Sequence, residues 1–185
     1  MHSEYELITE LKKGNEWAVE KLVDLYGDRL LRVALVICGD MQWSEEIVQD
    51  TMLKACQNIH TFQGRASLST WLFRIAVNLA KNKLRSNSLK KVVPWDESKI
   101  DLVTSGKEHQ PDSILMQKEQ EKAILASLQL LPLKYREVLT LYYLEDLSVK
   151  EISMVHKEPQ GTIKSKMSRG RNLLKEILIK GGVYY

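Results

Sequence analysis

Apolar residues recur at steps of three and four along most of this 185-residue chain. The clearest run occupies positions Val19, Leu22, Val23, Tyr26, Leu30, Val33, Ala34 and Ile37. This spacing places the run on one side of an α-helix, because a half-buried strand would alternate at every second residue. Asn15 is suited to cap the start of such a helix, and Gly39 is suited to end it. The pattern predicts one long amphipathic helix over this segment.

The same periodicity predicts helices over most of the remaining chain. A second helix is expected to begin near Ser44, where a hydroxyl cap and two carboxylates suit the positive end of the helix dipole. Its expected apolar stripe is Val48, Met52, Ala55, Cys56 and Ile59. Further helices are expected over about 69–85, 113–130, 133–144, 148–156 and 160–179. No segment shows the alternation of a strand, so an all-α fold is predicted.

The helical period disappears between residue 86 and about residue 112, where Ser, Asn, Gly and Pro interrupt the sequence. A structureless stretch of this length is unusual inside one compact domain. We therefore predict two small helical domains, residues 1–85 and 113–185, joined by a flexible linker at residues 86–112. With 44% hydrophobic residues, the chain is apolar enough to form a core in each domain.

The composition argues against several classes of function. No run of 18 or more apolar residues occurs, so no insertion into a membrane is expected. Cys38 and Cys56 lie far apart in apolar stretches, which is typical of a reduced, cytoplasmic protein. The four histidines are scattered, and no metal-binding, phosphate-binding or catalytic-serine motif occurs. We therefore predict a cytoplasmic protein that is not an enzyme, with no cofactor, no metal and no small-molecule substrate.

The net charge of +3 is unevenly placed, because residues 159–180 carry six basic side chains and one acidic one. Residues 147–171 predict a short helix, a turn and a longer basic helix, which is the order of a helix-turn-helix. The three apolar residues of the first helix are expected to pack on three of the second, namely Val149, Ile152 and Val155 on Ile163, Met167 and Leu174. A plain helical hairpin with a solvated basic face has the same pattern, so both interpretations stay open.

In a helix-turn-helix, the polar side chains at the start of the second helix reach bases and phosphates in a major groove. The corresponding residues here are Thr162, Lys164, Ser165, Lys166 and Arg169. Arg171 lies later on the same helix and is better suited to the DNA backbone. These residues form the predicted DNA-reading surface of the second domain.

Two blocks of the chain resemble regions of bacterial sigma factors. WSEEIVQDTMLKA (43–55) and FQGRASLSTWLFRIAVN (62–78) resemble region 2, and LPLKYREVLTLYYLEDLSVKEI (131–152) with GTIKSK (161–166) resembles region 4. The order, spacing and total length are similar to the extracytoplasmic-function (ECF) subfamily of the sigma-70 family, which keeps only these two domains. His156 and Glu158 stand where relatives are commonly apolar, so the turn of the helix-turn-helix is expected to be looser or remodelled.

The resemblance implies a factor that binds core RNA polymerase, recognises −35 and −10 promoter elements and assists DNA melting. The implied partners are the β′ clamp helices and β flap of core polymerase, promoter DNA and an anti-sigma factor. The other two interpretations are a stand-alone helix-turn-helix regulator, which would dimerise through its N-terminal helices, and a helical adaptor that binds only proteins. The regulator would bind an operator unaided and would not bind core polymerase.

The resemblance also implies roles for individual residues of the first domain. The implied contacts to core polymerase are Glu46, Gln49 and Asp50, which share one polar edge of their helix. The implied −10 contacts are the loop residues Thr61, Phe62, Gln63 and Arg65, which would line a base pocket, and the helix residues Arg74, Asn78, Lys81, Lys83 and Arg85. Phe62 could equally anchor the loop inward. Trp71 and Phe73 are expected in the core rather than stacked on bases.

Overall fold

The computed structural model describes residues 4–87 and 124–180, and every regular element in these ranges is helical. The helices are α1 (Glu4–Lys12), α2 (Glu16–Cys38), α3 (Met41–Asn58), a 3₁₀ turn (Ile59–Thr61), α4 (Leu68–Asn87), α5 (Leu133–Glu145), α6 (Val149–His156) and α7 (Gln160–Lys180). Residues 124–129 are helical as well. The all-α prediction is confirmed. The predicted linker lies outside the described residues, except that residues 86 and 87 belong to the end of α4.

Helix α2 forms as the sequence predicts. The Asn15 side chain accepts a hydrogen bond from the Trp17 backbone N–H at 3.1 Å and caps the start of the helix. Gly39 adopts a left-handed conformation with φ 74°, and its N–H donates to the Leu35 carbonyl at 2.8 Å. This conformation carries no Cβ penalty for glycine, so the chain turns sharply into α3.

Helix α3 begins three residues earlier than the prediction at Ser44. The Asp40 carboxylate caps it by accepting from the Trp43 backbone N–H at 2.8 Å, because Asp40 directly follows the turn at Gly39. Ser44 is instead buried in the first turn, where its hydroxyl donates to the Asp40 carbonyl at 2.6 Å. The buried residues of α3 are Ser44, Ile47, Thr51, Met52 and Ala55, whereas Val48 and Cys56, which were predicted in its apolar stripe, are only half-buried.

Residues 4–87, which we call the front half, surround α2. The buried residues of α2 include Leu22, Leu30 and Ile37, and α4 contributes Leu72 and Phe73. Helices α1, α3 and α4 all contact α2. Burying side chains of this size stabilises each by roughly 1.5–3 kcal/mol relative to exposure. The front half therefore has an apolar core of its own.

Residues 124–180, which we call the rear half, contain the predicted helix-turn-helix. Ser148 and Glu151 form the capping box that starts α6, and Lys157 ends it in a left-handed conformation with φ 55°. The residues buried between α6 and α7 include those predicted, namely Ile152, Val155, Ile163, Met167 and Leu174. At Gly170 a Cβ would lie 3.0 Å from Leu139 Cδ1, so glycine allows α7 to approach α5 closely.

The two halves are docked against each other. Helix α5 contacts α2, and α6 contacts α4. The buried apolar residues of the two halves form one continuous cluster. Several links across this boundary are polar, including an ion pair in which Arg29 Nε lies 2.8 Å from Glu145 Oε2. The sequence predicts two tethered domains, and the structure adds that they have a defined contact surface.

Candidate nucleic-acid interface

The loop between α3 and α4 forms one side of an open pocket of about 530 Å³. Six residues predicted to contact the −10 element line this pocket, namely Thr61, Phe62, Gln63, Arg65, Arg74 and Asn78. Lys54 and Asn58 of α3, Trp71 of α4 and Met154 of α6 lie around the same pocket. Its volume lies within the usual range for a small-molecule site, so it can accommodate a nucleobase.

The local sequence explains the shape of the loop. The Thr61 hydroxyl donates to the Asn58 carbonyl at 2.7 Å and closes the 3₁₀ turn. Gly64 adopts a positive φ of 68°, which allows the chain to reverse toward α4. Phe62 is 8% exposed and packs on Trp71 with ring centroids 5.4 Å apart. Phe62 therefore anchors the loop to the core, and the rings of Phe62 and Trp71 form part of the pocket lining.

Trp71 and Phe73, the two aromatic residues of α4, differ in how deeply they are buried. Phe73 is fully buried, and the Arg29 guanidinium lies 5.5 Å from its ring centroid. Trp71 is half-buried, and part of its surface lines the pocket. Phe73 is a core residue, as the sequence predicts, whereas Trp71 both supports the loop and borders the pocket.

The remaining cations of the predicted −10 surface continue along α4, beyond the pocket. Lys81 Nζ lies 3.1 Å from Glu137 Oε2, a carboxylate of the rear half. Lys83 forms an ion pair with Glu46 and lies 5.9 Å from the Trp43 ring centroid. Arg85 is exposed. Lys81 and Lys83 therefore face protein carboxylates, Lys81 one of the rear half and Lys83 one of the front half.

The predicted −35 residues lie on the outer side of α7. Thr162, Lys164, Ser165, Arg169 and Arg171 are exposed, while the inner face of α7 packs on α5 and α6. The spacing of Thr162, Ser165 and Arg169 places them on one stripe of the helix.

Two of the six predicted −35 residues, Lys166 and Arg171, have partners within the rear half. Lys166 is half-buried and forms an ion pair with Glu158 at 2.6 Å, so Glu158 anchors the turn to α7. The Arg171 guanidinium lies 5.2 Å from the Tyr142 ring centroid.

A second pocket, of about 390 Å³, lies at the start of α7. Its lining includes Thr162, Ser165, Lys166 and Arg169, together with Lys134 of α5. Three of these five side chains are cationic, so the pocket attracts anions such as backbone phosphates. Lys134 is a residue that the sequence analysis missed, and its position at the start of the helix before the helix-turn-helix was the available signal.

Family models match both halves of the chain. The sigma-70 region 2 model matches residues 22–89, and the sigma-70 region 4 model matches residues 121–174. The ECF RNA polymerase sigma factor SigW of Bacillus subtilis is 30% identical over 176 residues, which cover 92% of this chain and 94% of SigW. The chain belongs to the ECF sigma factors. As a member of this family it directs core RNA polymerase to promoters, and the interpretation as a stand-alone regulator is not favoured.

Other sigma factors show the same extent of similarity. The RNA polymerase sigma-H factor of Pseudomonas aeruginosa is 28% identical over 179 residues, covering 94% of this chain and 92% of that protein. The sigma factor RpoE of Bartonella quintana, solved in complex with the anti-sigma factor NepR, has the same fold. Its TM-score is 0.64 at 24% identity, with 86% of this chain and 95% of that chain covered.

The residues that this ECF sigma factor is predicted to present to core polymerase lie on α3. Gln49 and Asp50 are exposed, and Glu46 is half-buried because it pairs with Lys83 of α4. Leu53 follows on the same side of α3 and is 57% exposed, which is unusual for leucine. Leu53 was not predicted from the sequence, although its spacing of four and three residues from Gln49 and Asp50 was a signal.

Three ionisable side chains of the sigma factor are buried near the boundary of the halves. Burial raises the pKa of the Glu137 and Glu145 carboxyls, and lysine or arginine side chains opposite them partly offset this shift. Burial, with Lys81 and Lys166 nearby, lowers the pKa of His156 to about 4. His156 Nδ1 lies 3.3 Å from Glu137 Oε2, but the geometry does not satisfy a hydrogen bond. His156 is therefore a neutral, buried residue at neutral pH.

Three further observations concern membrane spans, metal ions and thiols. Within residues 4–87 and 124–180, no helix is long and apolar enough to cross a membrane. The same ranges hold no group of His, Cys, Asp or Glu that could bind a metal ion. Cys38 and Cys56 are free thiols, and burial raises the pKa of Cys38 to about 12.

Proposed function

We propose that this ECF sigma factor divides promoter recognition among three surfaces. The exposed edge of α3, with Glu46, Gln49 and Asp50, docks on the β′ clamp helices of core polymerase. The pocket beside the loop of residues 61–66 captures an unpaired base of the −10 element. The outer face of α7 reads the −35 element. The two domains span residues 1–87 and 113–185, with a linker at residues 88–112, since residues 86 and 87 end α4.

The observation that carries the proposal is the pocket of about 530 Å³ beside the loop. Holding a melted strand requires a cavity for an unstacked base and cations for the adjacent phosphates. The side-chain amides of Gln63 and Asn78 can form hydrogen bonds with the edge of a base. The guanidinium groups of Arg65 and Arg74, on the same pocket, can neutralise phosphates on either side of it.

The second step of the proposal concerns the −35 element. Thr162, Ser165 and Arg169 lie on one stripe near the start of α7, which is the part of a recognition helix that enters the major groove. Lys164 and Arg171 flank this stripe and suit the phosphate backbone. Base contacts along the stripe then set specificity, while the phosphate contacts make binding fall as the salt concentration rises.

The remaining parts of the proposal concern partners and location. We place the sigma factor in the cytoplasm, where it acts as a binding subunit without an active site of its own. The rear half contacts the β flap of core polymerase. One sigma factor of the same fold was solved with an anti-sigma factor, and we propose that a protein of this class also restrains this chain.

Run-off transcription with core polymerase tests this proposal. Genomic fragments are transcribed with and without the purified chain, and new transcripts with defined start sites are expected only when it is present. The matched variants are Arg74→Ala in the pocket and Lys54→Ala at its rim. We expect the first to reduce open-complex formation more strongly than the second, with no change in core binding. A chain that bound DNA fragments unaided but never core polymerase would overturn the proposal.

A further inference from the structure

The turn of the helix-turn-helix is fastened to both of its helices through one residue, Glu158. Its backbone N–H donates to the Ser153 carbonyl of α6 at 3.1 Å, and its own carbonyl accepts from the Ser153 hydroxyl at 2.6 Å. Its side chain reaches α7, where Lys166 Nζ donates to Oε1 at 2.7 Å and lies 2.6 Å from Oε2. Glu158 therefore fixes the position of the Lys166 ammonium relative to the end of α6.

The ion pair is partly withdrawn from solvent, yet it lies beside the DNA-reading residues of α7. The side chain of Lys166 is 20% exposed, and that of Glu158 is 28% exposed. Lys166 follows Thr162 by four residues and precedes Arg169 by three, so the three lie along one side of the helix. All three also line the pocket of about 390 Å³ at the start of α7. Lys166 is thus a cation of this surface whose charge is already compensated within the protein.

Two other cations of the same surface are in a different situation. Lys164 and Arg169 are exposed, and within residues 4–87 and 124–180 neither pairs with a carboxylate. A DNA phosphate that approaches Lys164 gains an ionic contact without breaking one. A phosphate that approached Lys166 would have to displace the Glu158 carboxylate, which would then be left unpaired in a partly buried place. Such a loss of one partner is costly, so Lys166 is not available to the DNA on equal terms.

Glu158 is the carboxylate on which the placement of Lys166 depends. The charge of Lys166 also acts on Glu137 of α5 and opposes the rise in the pKa of that carboxyl. Glu137, however, has a closer claim from Lys81, whose Nζ lies 3.1 Å from its Oε2. Neutralising Glu158 would therefore leave the Lys166 ammonium weakly held and able to move toward the pocket that it already lines.

We propose that Glu158 is a positioning residue for −35 recognition, which holds Lys166 away from the DNA phosphates. The ion pair fastens α7 to the turn and at the same time removes one sequence-independent contact from the DNA-binding surface. Base reading by Thr162, Ser165 and Arg169 then accounts for a larger share of the binding, because phosphate contacts carry no sequence information. This inference rests on the proposed role of α7 in reading the −35 element.

The salt dependence of promoter binding distinguishes this role from a merely structural one, because each phosphate contact adds about 0.9 to the slope of log affinity against log salt. Holoenzyme made from core polymerase and the full chain is titrated from about 50 to about 200 mM salt. The probes are a promoter fragment mapped by run-off transcription and the same fragment with a scrambled −35 element. The variant is Glu158→Gln, with and without Lys166→Gln. Glu176→Gln is the matched control, since it removes the same charge at an exposed position near the end of α7.

We expect Glu158→Gln to steepen the slope by about 1, so that its affinity falls about fourfold more than that of the parent across this range. The change should appear on both fragments, since a phosphate contact is independent of sequence. Adding Lys166→Gln should remove the change, and Glu176→Gln should leave the slope as in the parent. Lys164→Gln, which removes an exposed cation, should lower the slope by about 1.

The outcomes separate this inference from the proposed function. If Glu158→Gln left the slope unchanged while Lys164→Gln lowered it, the positioning role would be refuted and the role of α7 would stand. If Glu158→Gln/Lys166→Gln had a lower slope than the parent, Lys166 would already contact a phosphate, and the positioning role would again be refuted. If the parent bound both fragments equally well, the assignment of α7 to the −35 element would fail, and the positioning role with it.

A second variant covers the case in which Glu158→Gln prevents folding, which circular dichroism would show as a loss of helical content. Glu158→Leu/Lys166→Met replaces the ion pair by apolar side chains of similar size, a change that a partly buried pair commonly tolerates. Its slope should not fall below that of the parent, because the pair supplies no phosphate contact. A slope lower by about 1 in this folded variant would overturn the proposal.

Discussion

The DNA-reading surfaces of the two halves differ in how accessible they are. On α7 of the rear half, five of the six predicted −35 residues are exposed, and the sixth, Lys166, pairs with Glu158 of the same half. In the front half, Lys81 pairs with a rear-half carboxylate, Lys83 pairs with Glu46, and a rear-half side chain borders the base pocket. The comparison teaches that the −35 surface of the rear half is accessible in the docked chain. In the −10 surface of the front half, Lys81 and Lys83 are instead paired with carboxylates.

The largest expected effect concerns the rear surface. Lys164→Ala/Arg169→Ala should lower −35-dependent initiation by about 100-fold, because the Arg169 contact to a base contributes about 1–3 kcal/mol and Lys164 adds a contact to a phosphate. Core binding should be unchanged, since both side chains lie on the outer face of α7. Run-off transcription and a core pulldown measure the two activities, and Lys180→Ala on the last turn of α7 is the control. Equal loss of both activities would contradict the assigned role.

The second prediction concerns His156, the buried imidazole at the boundary of the halves. Its pKa is about 4 in the folded protein against an ordinary value of 6.5, so the unfolded chain binds the proton first as the pH falls. The free energy of unfolding should therefore decrease as the pH falls from about 6.5 to about 4, by about 1–3 kcal/mol from this residue.

The raised pKa values of Glu137 and Glu145 act in the opposite direction, because the folded protein takes up their protons before the unfolded chain does. Comparison with His156→Leu isolates the histidine contribution. Urea unfolding at several pH values is the measurement, and the variant should lose less stability on acidification than the parent. Parallel stability curves for the two proteins would show that His156 is not buried in solution.

The third prediction concerns the front pocket. Asn78→Ala should reduce the open complex by about tenfold, as expected for the loss of a hydrogen bond to a flipped base with a value near 1–2 kcal/mol. Permanganate footprinting of unpaired thymines measures opening, while binding of the holoenzyme to the −35 element should stay unchanged. A variant that opened promoters as well as the parent would remove Asn78 from the proposed pocket.

The smallest expected effect concerns Lys83. Lys83→Ala should lower the slope of log affinity against log salt by about 1, as for the loss of one phosphate contact. The effect should be seen with the holoenzyme and not with the isolated chain, because Glu46 occupies Lys83 until polymerase engages α3. A salt titration of promoter binding measures the slope. If Lys83→Ala lowered the slope equally in the holoenzyme and in the isolated chain, the ion pair with Glu46 would not restrain Lys83.

The sequence predicted the elements well, for local reasons. The apolar stripe of α2, its cap at Asn15 and its end at Gly39 depend on neighbouring residues alone, so they could be recognised. The start of α3 was wrong because two acceptable caps, Asp40 and Ser44, stand four residues apart. The sharp turn at Gly39 favours Asp40 as the cap, because Asp40 directly follows Gly39.

The docking of the halves could not be predicted in the same way. Glu137, Glu145 and Gln129 have partners about 60 to 120 residues away, and no local rule pairs them. One signal was available, since α5 carries apolar residues around its whole circumference, which is typical of a helix covered on two sides. Likewise, the sequence left two roles open for Phe62, and only its contact with Trp71 decided that it points inward.

The distance between the two halves, in the free chain and in the holoenzyme, is measured most directly with two spin labels. The labels are placed at Glu20→Cys and Glu176→Cys in a Cys38→Ser/Cys56→Ser background, and pulsed electron resonance gives their distance with and without core polymerase. We predict one narrow distance distribution for the chain alone and a clearly longer one in a holoenzyme that initiates transcription. An active holoenzyme with the same distance as the chain alone would contradict the account.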